Sequence, residues 1–252
     1  MNSRSQFLLM VLLCFRIEAL PQGEFLKKLG LNSAAGSGPM AGLALDDSQI
    51  VAGLKEALGN GVKQAVNNLG KADGFLKDVN VRILLPEGLK KVDRSMRLLG
   101  QGQLVDQFVT TMNRAAEQAT PMAAEVLGDA VRKMSIADAR SILTGTNNAA
   151  TQFFRRTSET NLHSRLLPIV QKATASAGVT GAYKQMIAKA GIAGQFLGSD
   201  VVDVDAYVTR KSLDGLFLKI SDEEKRIRDN PAARTTDLLQ KVFGKSVPVK
   251  AP

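Results

Sequence analysis

Along most of this chain, apolar residues return every third or fourth position, the spacing of helices that bury one face. Ile50, Leu54, Leu58, Val62 or Ala65, and Leu69 predict a helix over 48–69. Asp46, Asp47 and Ser48 supply caps and favourable negative charge at its start. Gly59 and Gly61 each cost such a helix about 1 kcal/mol against alanine. A bend or a closely packed neighbouring backbone is therefore expected there. The run Gly70-Lys71-Ala72-Asp73-Gly74 ends the helix.

The period then changes. Val79, Val81, Ile83 and Leu85 alternate, which is strand periodicity, yet no partner strand follows. A short extended segment over 79–85, laid across the helices, is the expectation. Helical spacing resumes over 88–99 (Leu89, Val92, Met96 and Leu99 inward) and over 103–118 (Leu104, Val105, Phe108 and Met112 inward). Thr120 as N-cap and Pro121 at the first helical position predict a restart that runs to about residue 134. Ser135 and Asp138 have the spacing of a capping box for a short helix to Leu143.

After a stop at 145–148, a helix over 148–157 is expected. Ser158 then caps a longer one to Ser176, bent at Pro168. Thr180 caps a helix to Lys189, and 191–199 reads as a loop. Asp203 opens the longest helix, 203–229, with Val204, Tyr207, Val208, Leu213, Leu216, Phe217, Ile220 and Ile227 inward. A last helix spans 235–243. No fixed-period repeat occurs, which argues against a solenoid. The fold class is all-α: an irregular multi-helix bundle of about eight to ten helices in one domain over 46–244, with a disordered tail over 245–252.

The first residues have a different pattern. Arg4 precedes an unbroken apolar run from Phe7 to Phe15, and Ala19 follows. A charged start, a short apolar run and a small-residue exit make a secretory signal over 1–19. Nine residues rise only about 13 Å as a helix, short of a bilayer core, so no transmembrane span is expected in the mature chain. Arg16 and Glu18 beside the cut, and Ile17 where a small residue fits better, leave a cytoplasmic start as the alternative. Lipidation at Cys14 is a third reading, weakened by Leu13 where a small residue belongs. Small and flexible residues over 30–44 extend the stretch 20–45 as a linker.

Cys14 is the single cysteine, so a chain cut after Ala19 has no disulfide, no thiolate nucleophile and no thiolate metal ligand. The net charge is +9, and loss of the leader leaves 31 basic and 23 acidic residues, or +8. In an exported protein that balance either serves solubility alone or points to anionic lipid or another acidic envelope component, and away from nucleic acid. The absence of Trp and the presence of only two Tyr disfavour carbohydrate clefts and base-stacking surfaces.

Gly-rich phosphate loops and the nucleophile elbow do not occur, and no cofactor is implied. His163 is the lone histidine, too few for a histidine-based metal site, and reads as a surface or satisfied side chain. Asp200, Asp203 and Asp205 lack the Gly turn and distant Glu of a calcium loop and read as helix caps, so no metal site is assigned. Residues 222–228 read as a solvated face with close ion pairs. Lys90, Lys91, Arg94 and Arg97 form a basic cluster opposite the apolar face of their helix, either an ordinary solvated face or a candidate contact for an anionic surface.

Several segments resemble one bacterial family. They are 47–58 with 70–76; Met112 to Glu117; 130–143; Thr151 to Phe154; Leu213 to Phe217; and 230–239 with 242–244. Together these are similar to the domain of unknown function 4197 family over 46–244. The resemblance implies a helical, exported protein and carries no activity with it. Within those segments Asn113, Arg114, Glu117, Arg140, Arg234 and Asp237 are the candidate ligand-binding residues, as the lining of a polar pocket between helices. Arginines so placed also tie helix ends together through carboxylates, the plainer reading.

The functional expectation is non-catalytic binding of an anionic or amphipathic ligand, or of an envelope partner, in the periplasm. It calls for an apolar cavity or groove flanked by basic residues. The alternative is a hydrolase using Glu117 or Asp237 as general acid or base, which requires two carboxyl groups with separated pKa values in one cleft. The oligomeric state is not legible.

Overall fold

The computed structural model describes residues 47–176, Gly181 and 203–230, and everything regular within them is helical. The helices are α1 (Asp47–Leu69), α2 (Lys90–Leu98), α3 (Gly102–Ala119), α4 (Ala123–Lys133), α5 (Ile136–Thr144), α6 (Ala149–Ser176) and α7 (Val204–Asp229). Single 3-10 turns at Glu87–Leu89 and Thr120–Met122 lead into α2 and α4. The expected count of eight to ten is not confirmed by these. Apart from Gly181, the helices expected over 180–189 and 235–243 lie outside the described residues.

The apolar stripes meet in one core. Leu54, Leu69, Phe108, Met112, Leu127, Phe154, Leu162 and Phe217 are all fully buried there. α6 packs against α3, α4 and α7, while α1 packs against α4, α5 and α7. Neither glycine inside α1 marks a close backbone approach: Gly59 faces open space, and a Cβ on Gly61 would make only ordinary contact with Glu223.

Two caps form as the sequence predicts. The Ser135 hydroxyl accepts from the Asp138 N–H at 3.1 Å, and the Asp138 carboxylate accepts from the Ser135 N–H at 3.1 Å. Asp203 accepts from the Ala206 N–H at 2.9 Å and opens α7.

Two other predicted caps do not form. Thr120 is itself helical, and its hydroxyl donates back to the Ala116 carbonyl at 2.8 Å, so α3 passes into α4 through one tight turn. Ser158 lies buried in the middle of a continuous α6 that also runs through Pro168. Phe154, Ser158, Leu162, Leu166 and Val170 are spaced by four, so this serine occupies a core position of the stripe.

The alternating stretch is no strand. Residues 79–81 turn and 82–86 run irregularly across the helices, as a partnerless extended segment would. Val81 and Ile83 are buried and Leu85 is partly buried, while Val79 is exposed. Gly215 of α7 lets this segment approach: a Cβ there would sit 2.7 Å from the Phe75 ring and 3.2 Å from the Val81 Cβ. Leu99, expected inward, is 63% exposed, because α2 has already ended at a left-handed Gly100 (φ 71°).

Candidate functional site

Asn113, Arg114 and Glu117 share a face of α3, and the structure shows what they hold. Glu117 is buried, and one carboxylate oxygen accepts from the Phe75 N–H at 3.0 Å and the Leu76 N–H at 3.1 Å. The other accepts from Arg114 at 2.7 Å, and Arg114 also reaches Asp73 at 2.6 Å. Asp73 has a left-handed backbone (φ 67°), which Asp tolerates better than most residues. Hydrogen bonds from Lys77 and Arg114 hold its carboxyl below the usual carboxylate range. Two carboxylates raise the Arg114 pKa further, Glu117 first and Asp73 second.

Asn113 acts as a substitute strand. Its side-chain oxygen accepts from the Ile83 N–H at 2.8 Å, and its amide donates to the Ile83 carbonyl at 2.8 Å and to the Val109 carbonyl at 2.7 Å. One helix face thus fastens the whole 73–83 connection. In place of a polar pocket there is a closed clamp, and neither cleft described below includes these three residues. Three of the roughly four acceptor positions of the Glu117 carboxylate are taken, by the Phe75 and Leu76 N–H groups and by Arg114. Arg140 lies apart on the exposed side of α5. Arg234 and Asp237 lie outside the described residues.

A second clamp corrects the expectation that residues 222–228 form a solvated face. Glu224 of α7 is buried and accepts from the Ala150 and Thr151 N–H groups at 3.0 Å each and from the Thr151 hydroxyl at 2.9 Å. It caps α6 from another helix, satisfying donors that a helix start leaves open. Arg228 donates to Glu224 at 2.9 Å and to the Ile142 carbonyl at 2.8 Å.

The basic cluster divides. Arg97 is bound to Asp93 and Asp106 at 2.7 Å each, and these hydrogen bonds, the Asp106 one foremost, raise its pKa. Lys90 pairs with Glu87 at 2.7 Å. Lys91 and Arg94 are exposed, with no ion pair among the described residues. His163 is exposed on α6. Asp205 accepts from the Thr174 hydroxyl at 2.6 Å, and Asp200 lies outside the described residues.

Two clefts flank the 70–87 connection. One, of about 540 Å³, is lined by Lys71, Asp73, Lys77, Asp78, Lys219 and Asp222 among others. Its charges are mostly paired: Lys77 with Asp73 at 2.7 Å and Lys219 with Asp78 at 2.6 Å. Burial works against the Lys219 ammonium, but its bond to Asp78 outweighs that and holds its pKa above the ordinary lysine value.

The other is a groove of about 630 Å³ between the irregular segment and α7. Leu84, Leu85 and Leu218 give it an apolar surface, and Arg82, Lys90, Arg210 and Lys211 line it with cations. Glu87 and Asp214 pair with Lys90 and Lys211. Arg82 and Arg210 are exposed and make no ion pair among the described residues. Tyr207 donates its hydroxyl to the Leu84 carbonyl at 3.0 Å, and burial, with the Glu87 charge nearby, raises its pKa. Of these cations only Lys90 belongs to the basic cluster that the sequence singles out. A signal was present: Tyr207, Lys211, Asp214 and Leu218 recur at four and three residues, a second stripe beside the core stripe of α7.

The described helices include none long and apolar enough to cross a membrane. Comparison with curated proteins and with solved structures gives no match. A family model described as a protein of unknown function, DUF4197, matches residues 44–244, the span that holds both clamps and the groove. The chain belongs to the DUF4197 family.

Proposed function

We propose that this chain is a non-catalytic envelope protein, exported by its leader, that binds an anionic amphipathic ligand in the groove between residues 80–87 and α7. The observation that carries the reading is the meeting of exposed leucines, Leu84 and Leu218, with Arg82 and Arg210, whose charges no carboxylate among the described residues neutralises. Apolar walls with a few placed polar groups are the usual make-up of a ligand site, and the volume suits a ligand of one short acyl chain. An anionic head between the two guanidiniums would gain charge-assisted, bidentate hydrogen bonds. The Tyr207 hydroxyl, already donating to Leu84, helps keep the apolar wall in place.

Isothermal titration with dodecyl phosphate below its micelle concentration tests this, with dodecanol and inorganic phosphate as the half-ligands. Saturable binding of dodecyl phosphate and weaker binding of either half is expected. Arg82→Gln with Arg210→Gln should weaken it by at least about tenfold, with thermal stability unchanged. Equal affinity in that variant would refute the reading. Intact mass of protein taken from its own cells tests export separately, a start at Leu20 being the expected result.

A further inference from the structure

The turn that ends α2 carries a second exposed apolar feature, apart from the groove. α2 and the turn that leads into it bury Leu89, Val92 and Met96 completely. On the opposite side Lys91, Arg94 and Leu98, spaced by three and four, fall along one line. The helix ends in a Schellman turn: Gly100 N–H donates to the Arg97 carbonyl at 3.1 Å and Gln101 N–H to the Met96 carbonyl at 2.8 Å. This fixed reversal leaves Leu98 89% and Leu99 63% exposed, side by side at the tip. Isolated exposed leucines are ordinary, but an adjacent pair on a rigid turn beside two cations without ion pairs is a definite chemical pattern.

Arg97 and Lys90 are held by three carboxylates, Asp106, Asp93 and Glu87, so this group carries one net negative charge and lies beside the outward line. The surplus on the outward line is Lys91 and Arg94. An apolar point with cations one and two turns behind it matches the profile of an anionic bilayer, where acyl chains lie beneath a negative headgroup layer. A nucleic-acid backbone would meet the cations but leave the leucines in water or against phosphate.

We propose that the α2 tip is a membrane-docking wedge: Leu98 and Leu99 enter the headgroup–acyl boundary of an anionic membrane while Lys91 and Arg94 bind its lipid phosphates.

The chain contains no Trp, so Leu98→Trp is a unique local reporter. Its fluorescence distinguishes docking by the tip from binding through the apolar run at Phe7–Phe15. With vesicles of equimolar phosphatidylcholine and phosphatidylglycerol at low salt, the emission should shift to the blue. Phosphatidylcholine alone should give no shift, and raised salt should reverse the effect. Lys91→Gln with Arg94→Gln in the reporter chain should weaken the vesicle affinity read from that shift by about fivefold per charge removed. Arg82→Gln with Arg210→Gln should leave it unchanged, which separates this surface from the groove. An unshifted emission in the anionic vesicles overturns the proposal. So does a blue shift without vesicles that tracks protein concentration, the mark of a protein–protein face.

Discussion

The Glu117 clamp and the Arg82–Arg210 groove lie on two sides of the same connection, and both are built from charged side chains. In the clamp, carboxylate, guanidinium and amide are each bonded to backbone or to one another. In the groove, two guanidiniums stand beside exposed leucines without an ion pair among the described residues. The contrast teaches where binding can reside. Buried polar groups that satisfy backbone donors hold the fold, whereas cations left over at an apolar wall remain available to a ligand. Glu224 with Arg228 belongs with the clamp, since it does for the start of α6 what Glu117 does for residues 75 and 76.

Removal of a clamp residue should cost stability. Glu224→Ala carries the largest expected effect, about 3–5 kcal/mol, because it orphans two N–H groups and leaves Arg228 nearly enclosed. Glu117→Ala should cost about 3 kcal/mol, Arg114 being free to turn toward Asp73 and water. Urea midpoints check both, and ligand affinity of the folded fraction should hardly change.

Asn113→Ala should cost about 2 kcal/mol and speed amide exchange at Ile83, whose N–H and carbonyl both lose their partner. Gly215→Ala sharpens the comparison from the groove side. Its Cβ would press on Phe75 and Val81, costing about 1–2 kcal/mol and shifting the groove wall, so stability and ligand affinity should fall together.

Acid gives the smallest effect. The Asp73 carboxyl titrates below its unfolded value, so its contribution is complete above the ordinary carboxylate range and is lost as pH falls through the lowered pKa. Asp73→Asn, which tolerates the same left-handed backbone, should flatten that acidic limb of a stability-against-pH curve.

Much of the helical architecture was legible because local chemistry and burial agree in it. Ser135 with Asp138, and Asp203, cap their helices because their side chains reach only their own first turn. Ser158 and Thr120 mislead because a hydroxyl looks the same in a cap and in a core, and tertiary packing decides between them. Glu224 could have been found: it lies four residues after Ile220 and three before Ile227, on the inward stripe, so its burial was encoded in spacing that composition masked. Asn113 and Glu117 share one helix face, as their spacing shows, but hold backbone groups there. Their partners, Ile83 and Phe75, lie too far along the chain for spacing to reveal. The groove escaped because it joins Arg82 to Arg210, a pairing that exists only once Gly215 lets the irregular segment settle on α7.

The most direct test of the account is a backbone amide NMR titration of the folded protein with dodecyl phosphate. Shift changes should cluster at Arg82, Leu84, Tyr207, Arg210 and Leu218 and spare Phe75, Leu76 and Asn113. Changes centred on the Glu117 clamp, or none at saturating ligand, would contradict it.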